Sequence, residues 1–214
     1  MKTEMDYTLY LVTEQNLLFA ANKIETCVEE AIKGGCTLVQ LREKTASSKE
    51  FYETALRVRE ITLRLNVPLI INDRLDIALA VDADGVHIGQ DDLPLDKARR
   101  ILGNEKIIGV SAANLKEALA ASNMGADYLG VGAMFTTPIK PDAKLVTIDE
   151  LKLIRAKVSI PIVVIGGISK ENVPLFSGTG IDGIAVVTAI VSQNNPAEAA
   201  RELKSIFNEM KTVK

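Results

Sequence analysis

One arrangement runs through the whole chain: a short, β-branched apolar run followed by a longer amphipathic stretch. Apolar runs of this length bounded by turn residues read as buried parallel strands. The stretches between them carry apolar residues at helical spacing. The spacing predicts strands over 7–13, 38–43, 68–73, 85–89, 107–112, 128–134, 161–166 and 183–189. It predicts helices over 22–33, from a cap at Ser48 to about Asn66, and over 75–80, 94–102, 114–124, 148–158, 173–176 and 196–210. Eight β-then-α units are the count of a single-domain α/β (β/α)8 TIM barrel, and 214 residues lie near the lower end for that fold. An open doubly wound sheet is the rival. It lacks support, because the first β–α turn carries no Gly-x-Gly-x-x-Gly.

A weak internal echo agrees with the barrel. Asp84-Gly85-Val86, Asp127-Tyr128-Leu129 and Asp182-Gly183-Ile184 enter three even-numbered strands in the same way. No linker or low-complexity run interrupts residues 1–214, so one domain is expected. With 25 Lys and Arg against 28 Asp and Glu, there is no polycationic surface to draw nucleic acid or anionic membrane. Aromatics make up 4% and Trp is absent, which also argues against base stacking. Cys27 and Cys36 lack zinc spacing and read as buried small hydrophobes. The charged opening Met1–Asp6 has no apolar signal core, and no apolar run could span a bilayer. A cytoplasmic protein is expected, with a homo-oligomer left open.

In such a barrel the working groups sit at the C-terminal strand ends. Alternation along the second strand sends Gln40, Arg42 and Lys44 to one face and Leu41 and Glu43 to the other. An amide and two cations leaving one strand end suit an anion; a strand fraying into solvent is the bland reading. Asn72-Asp73 end the third strand and Gln90-Asp91-Asp92 follow the fourth. Asp73 and Asp92 suit Mg²⁺, which takes one or two carboxylates plus phosphate oxygens. Either could instead cap the helix that follows, and Asp91 could stand in for Asp92. Ser111 ends the fifth strand. Thr137 and Lys140 lie in Phe135–Val146, a connection long enough to be a lid. Gly166-Gly167 and Val187-Thr188 end the last two strands, where these barrels often bind phosphate. Gly109, Gly130 and Gly132 would leave an opening if they face inward. His87, mid-strand, reads as a structural histidine. Cations, carboxylates and phosphate-binding loops without a catalytic base suit departure of phosphate or pyrophosphate.

Tyr10-Leu11-Val12-Thr13, Val39-Gln40-Leu41-Arg42-Glu43-Lys44, Ile71-Asn72-Asp73-Arg74, Gly85-Val86-His87-Ile88-Gly89-Gln90-Asp91-Asp92, Gly109-Val110-Ser111 and Ile165-Gly166-Gly167-Ile168 follow one another as in the thiamine-phosphate synthase family, which the chain resembles over nearly its whole length. That resemblance implies a (β/α)8 barrel and a transferase. It would join 4-amino-5-hydroxymethyl-2-methylpyrimidine pyrophosphate to a thiazole phosphate, with Mg²⁺. It implies that Gln40, Leu41, Arg42, Glu43, Lys44, Asn72, Ser111 and Lys140 hold the pyrimidine pyrophosphate. Arg42, Lys44, Ser111 and Lys140 would assist departure, and Asp73 and Asp92 would hold Mg²⁺. Thr137, Gly167, Val187 and Thr188 would hold the thiazole phosphate. The family mechanism it implies is dissociative: pyrophosphate leaves first, then the thiazole nitrogen attacks. One run departs from the pattern. After the sixth strand the family usually has Pro-Thr-x-Thr-Lys, whereas this chain has Thr136-Thr137-Pro138-Ile139-Lys140.

Two other readings use the same scaffold. A thiazole tautomerase-type isomerase would need no pyrophosphate site, so the strand-two cations and both carboxylates speak against it. A non-catalytic phosphate-ligand sensor would bind without forming product, and the sequence offers no partner surface for it.

Overall fold

The computed structural model describes residues 5–19 and 23–212. The N-terminal segment Met1–Glu4 and the expected helix start at Asn22 lie outside these. Eight parallel strands close into a barrel in sequence order. They are β1 (Leu9–Val12), β2 (Leu38–Leu41), β3 (Leu69–Asn72), β4 (Gly85–Ile88), β5 (Ile107–Ala112), β6 (Tyr128–Val131), β7 (Ile162–Val164) and β8 (Gly183–Val186). Around them run α1 (Ile24–Gly34), α2 (Ser48–Arg64), α3 (Leu75–Ala80), α4 (Leu95–Leu102), α5 (Leu115–Asn123), α6 (Ile148–Lys157), α7 (Thr188–Val191) and α8 (Pro196–Thr212). The expected short helix at Val173–Phe176 is a single 3₁₀ turn.

Most strands stop earlier than their apolar runs suggest. β6 ends at Val131 rather than Met134, and β8 ends at Val186, with α7 starting at Thr188. Past Val131 the backbone still bonds to the ends of β5 and β7, with the Gly132 N–H on the Ala112 carbonyl at 3.3 Å and the Met134 N–H on the Ile165 carbonyl at 2.9 Å, as it turns into the loop at the barrel mouth. The α2 cap also moves by one residue. Ser47, not Ser48, accepts the Glu50 N–H, and the Glu50 carboxylate returns to the Ser47 N–H at 2.9 Å. This reciprocal pair occupies two of the helix's unsatisfied donors.

Strand alternation sorts the apolar residues into two cores. Leu9, Leu11, Val39 and Leu41 join the large layer between sheet and helices. Tyr10, Val12, Leu38, Ile70, Tyr128, Val163 and Ala185 fill the barrel interior. Cys27 and Cys36 are buried free thiols in the outer layer. Among the described residues no helix is long and apolar enough to cross a membrane.

The three-aspartate echo has a physical basis. Asp84, Asp127 and Asp182 each accept, at 2.8 Å, a backbone N–H near the start of the preceding odd strand, from Leu69, Ile108 and Ile162 respectively. Each also binds an arginine of the helix before that strand: Arg59 at 2.6 Å, Arg99 at 2.6 Å and Arg155 at 3.2 Å. Thr37 does the same for Leu9 at the first strand pair, through its hydroxyl at 3.0 Å. One device thus ties helix, odd strand and even strand together at the barrel's N-terminal end. The opposite mouth is left free for chemistry.

Candidate active site

A cavity of about 510 Å³ opens at the C-terminal mouth, within the range of small-ligand sites. Its floor is polar and neutral. Gln40 Nε2 donates to the Tyr10 hydroxyl at 2.8 Å, and Tyr10 meets the Tyr128 hydroxyl at 2.8 Å. Tyr128 meets His87 Nδ1 at 2.9 Å, and His87 Nε2 meets Ser111 Oγ at 2.9 Å. The four interior members are all buried. Burial raises both tyrosine hydroxyls far above their ordinary range and pushes the His87 imidazole down to about 4. Each therefore stays uncharged at neutral pH.

Glycines make room for these rings. A Cβ on Gly109 would lie 2.0 Å from the Tyr128 ring, and one on Gly130 would lie 2.9 Å from His87 Cε1. Of the glycines expected to leave an opening, Gly109 is filled from inside by the Tyr128 ring, whereas Gly130, beside His87, and Gly132 both line the cavity. At Gly132 it is the backbone of Ile165 that stands where a Cβ would go.

The rim holds the charges. Just past β2, Lys44 reaches across to the Asp73 carboxylate. Arg42, on the same mouth, pairs with Glu14 from the loop after β1. Its backbone N–H is held by the Thr13 hydroxyl at 3.0 Å. Asp73 follows β3 with φ of 62°, a left-handed conformation that a non-glycine residue adopts at a cost. Desolvation, together with the neighbouring Asp92 carboxylate, raises the Asp73 pKa against the pull of Lys44. The capping reading of both carboxylates fails. α3 starts from Arg74 and α4 from Pro94, neither with a side-chain cap. Asp92 instead accepts the Gly89 N–H at 2.7 Å. Two neighbouring carboxylates, one of them paired with the Lys44 ammonium, form a hard-oxygen donor set that fits a divalent cation. Among the described residues no larger cluster of such ligands exists.

The remaining wall comes from the loops after β6, β7 and β8. Thr137, Ile139, Lys140 and Lys144 line the cavity, and Thr137 Oγ1 accepts the Ile139 N–H at 3.3 Å. Gly166 and Gly167 have φ of 96° and 64°. A Cβ on Gly166 would strike Ala133, and one on Gly167 the Thr136 carbonyl, so both glycines also buttress the β6 loop. Val187 and Thr188 complete this side at the start of α7.

Of the residues expected at the site, Gln40, Arg42, Lys44, Asn72, Asp73 and Asp92 share this cavity with Ser111, Thr137, Lys140, Gly167, Val187 and Thr188. Leu41 and Glu43 do not reach it. Leu41 is fully buried in the outer layer, and one Glu43 carboxylate oxygen is buried without a hydrogen-bond partner. Their strand parity sends them away from the interior. Sequence reasoning passed over Tyr10, Tyr128 and Glu14. A buried tyrosine needs a partner for its hydroxyl, and Tyr10 shares parity with Val12; that was the available signal.

Comparison with known proteins agrees with this geometry. The family model described as thiamine monophosphate synthase matches residues 9–190. The thiamine-phosphate synthase of Clostridium botulinum (strain Eklund 17B / Type B) is 57% identical over 213 residues, spanning 100% of both chains. That of Ruminiclostridium cellulolyticum is 58% identical, covering 97% of this chain and 98% of the relative. The solved structure of thiamine phosphate pyrophosphorylase from Pyrococcus furiosus superposes with a TM-score of 0.89 at 39% identity. It covers 96% of this chain and 98% of that one. On sequence along its full length, on fold and on the cavity at the barrel mouth, the chain belongs to the thiamine-phosphate synthase family.

Proposed function

We propose that this cavity carries out the coupling step of thiamine phosphate synthesis. It joins 4-amino-5-hydroxymethyl-2-methylpyrimidine pyrophosphate to 4-methyl-5-(2-phosphoethyl)thiazole and releases pyrophosphate; with the carboxylated thiazole, CO2 is lost as well. The observation that carries this reading is the rim, where Lys44 touches Asp73 with Asp92 alongside and Arg42 lies on the same mouth. Asp73 and Asp92 would hold Mg²⁺, which when bound supplies positive charge to the leaving pyrophosphate. Arg42, Lys44 and Lys140 bring cations to the same oxygens, with Asn72 and Ser111 as hydrogen-bonding partners. Arg42 exchanges Glu14, and Lys44 exchanges Asp73, for the incoming anion.

Among the described residues no charged base stands at the cavity floor. His87 is neutral with both ring nitrogens engaged, which suits a dissociative path. Pyrophosphate departs, the pyrimidine amino group delocalises the methylene cation, and the thiazole nitrogen attacks. Thr137, Gly167, Val187 and Thr188 would hold the thiazole phosphate at the β6 to β8 loops. This is the side where such barrels commonly seat phosphate. Ile139 offers no hydroxyl there, so the backbone carries more of that contact. The reaction would run in the cytoplasm, where the Cys27 and Cys36 thiols stay reduced.

The test is a coupling assay with both phosphorylated heterocycles and Mg²⁺, reading pyrophosphate and thiamine phosphate together. Stoichiometric release of both is expected. Asp73→Ala should lower turnover by about 10²–10³-fold, the loss typical of a group that stabilises charge in the transition state. Isomerised thiazole without pyrophosphate, or an unaffected Asp73→Ala variant, would overturn the reading.

A further inference from the structure

We infer that Tyr10, Tyr128 and His87 form a one-way hydrogen-bond relay that fixes which groups at the cavity floor donate and which accept. His87 is thereby a positioning residue that acts through Ser111. The proton count leads to this. Gln40 Nε2 donates to the Tyr10 hydroxyl at 2.8 Å. The single Tyr10 proton then goes to Tyr128 at 2.8 Å. The Tyr128 proton goes in turn to His87 Nδ1 at 2.9 Å. With Nδ1 accepting, a neutral imidazole carries its proton on Nε2 and donates it to Ser111 Oγ at 2.9 Å. Ser111 is left with its own proton to offer the cavity, and Gln40 with its carbonyl oxygen and second N–H.

Every link is held from several sides. The members come from five different strands, β1, β2, β4, β5 and β6, so none can turn without breaking a neighbour's contact. Tyr128 is fully buried and Tyr10 is 1% exposed, so water does not supply substitute partners. Gly109 supplies the space for the Tyr128 ring and Gly130 that for the His87 ring. The opposite polarity requires the Gln40 amide to turn over and leaves Ser111 donating inward. Its oxygen, rather than its proton, would then face the ligand.

The consequence for the reaction rests on the function proposed above. Gln40 offering one acceptor and one donor matches the amino and ring-nitrogen edge of an aminopyrimidine. This is the same logic by which an amide side chain reads adenine. The reversed relay would present two N–H donors and lose that match. The relay therefore makes the floor selective for the aminopyrimidine rather than for the thiazole.

His87 is the chain's only histidine, so its imidazole can be read without assignment ambiguity. The experiment is long-range ¹⁵N–¹H NMR of untagged, ¹⁵N-histidine-labelled protein at pH 7, without ligands. A single neutral species protonated on Nε2 is expected. An Nδ1-protonated ring, or an imidazolium, would overturn the relay. In Tyr128→Phe the donor to Nδ1 is gone, and the two nitrogens should shift toward a mixture of tautomers. The KM for the pyrimidine pyrophosphate should rise by about tenfold, as for one lost hydrogen bond, while that for the thiazole phosphate holds. His87→Gln, which keeps an N–H toward Ser111, should retain more of that affinity than His87→Phe. Equal losses in the two His87 variants, or unchanged tautomers in Tyr128→Phe, would count against the relay. Failure of the coupling assay with an intact Nε2–H signal would sink the function and leave the relay standing.

Discussion

Glu43 shows how far one residue's setting can differ from that of its neighbours. Arg42 and Lys44 on either side reach the cavity mouth, whereas one Glu43 oxygen is buried without a partner. Desolvation, with Glu14 nearby, raises its pKa. A carboxyl whose folded pKa lies above its unfolded value costs stability when ionised. The cost is present in full above the folded pKa and fades as pH falls toward the unfolded value. Glu43→Gln should therefore raise the melting temperature at pH 7, with the gain vanishing near pH 4. Thermal melts at the two pH values check this. Asp73, by contrast, owes its place to backbone geometry: its left-handed φ directs the carboxylate toward Lys44 and Asp92 instead of the helix it precedes. Sequence spacing left cap and ligand open because both begin from the same strand-end position.

Among the elements, the clamps at the N-terminal end of the barrel carry more stability than the many surface ion pairs. Arg99 and Asp127 each leave 18% of the side chain exposed. Arg99 also donates to the carbonyls of Gly103, Lys106 and Gly125. Removing the carboxylate would strand the Ile108 N–H and take the counter-charge from a mostly buried guanidinium. Asp127→Ala should cost about 2–3 kcal/mol, seen in chemical denaturation as a lower midpoint at constant slope. Glu29 and Lys33, with half the lysine exposed, form a solvent-screened pair that should add little. The three aspartates were visible in the sequence as a repeated Asp before an even strand. Their arginine partners were not, because each lies two elements earlier and only barrel closure brings them together.

The whole molecule divides its labour along the barrel axis, with clamps at one end and chemistry at the other. Gly109 joins the two. Its missing side chain admits the Tyr128 ring, which both fills the interior and carries the relay. Gly109→Ala should destabilise the fold by about 1–3 kcal/mol, as overpacking does. It should also raise the KM for the pyrimidine pyrophosphate in parallel with Tyr128→Phe. Denaturation and steady-state kinetics on the two variants test that pairing. By itself the sequence determined the eight units, their order, the faces of the strands and the polar groups at the strand ends. These follow from local periodicity, which any window of the chain carries. Tertiary structure alone decided that Tyr10, Gln40, His87, Ser111 and Tyr128 form one connected floor, that Arg42 rests on Glu14, and that Gly109 and Gly130 give their places to the Tyr128 and His87 rings. Those relations link residues up to 118 positions apart. They exist only once the sheet has closed on itself and every inward side chain must share one confined interior.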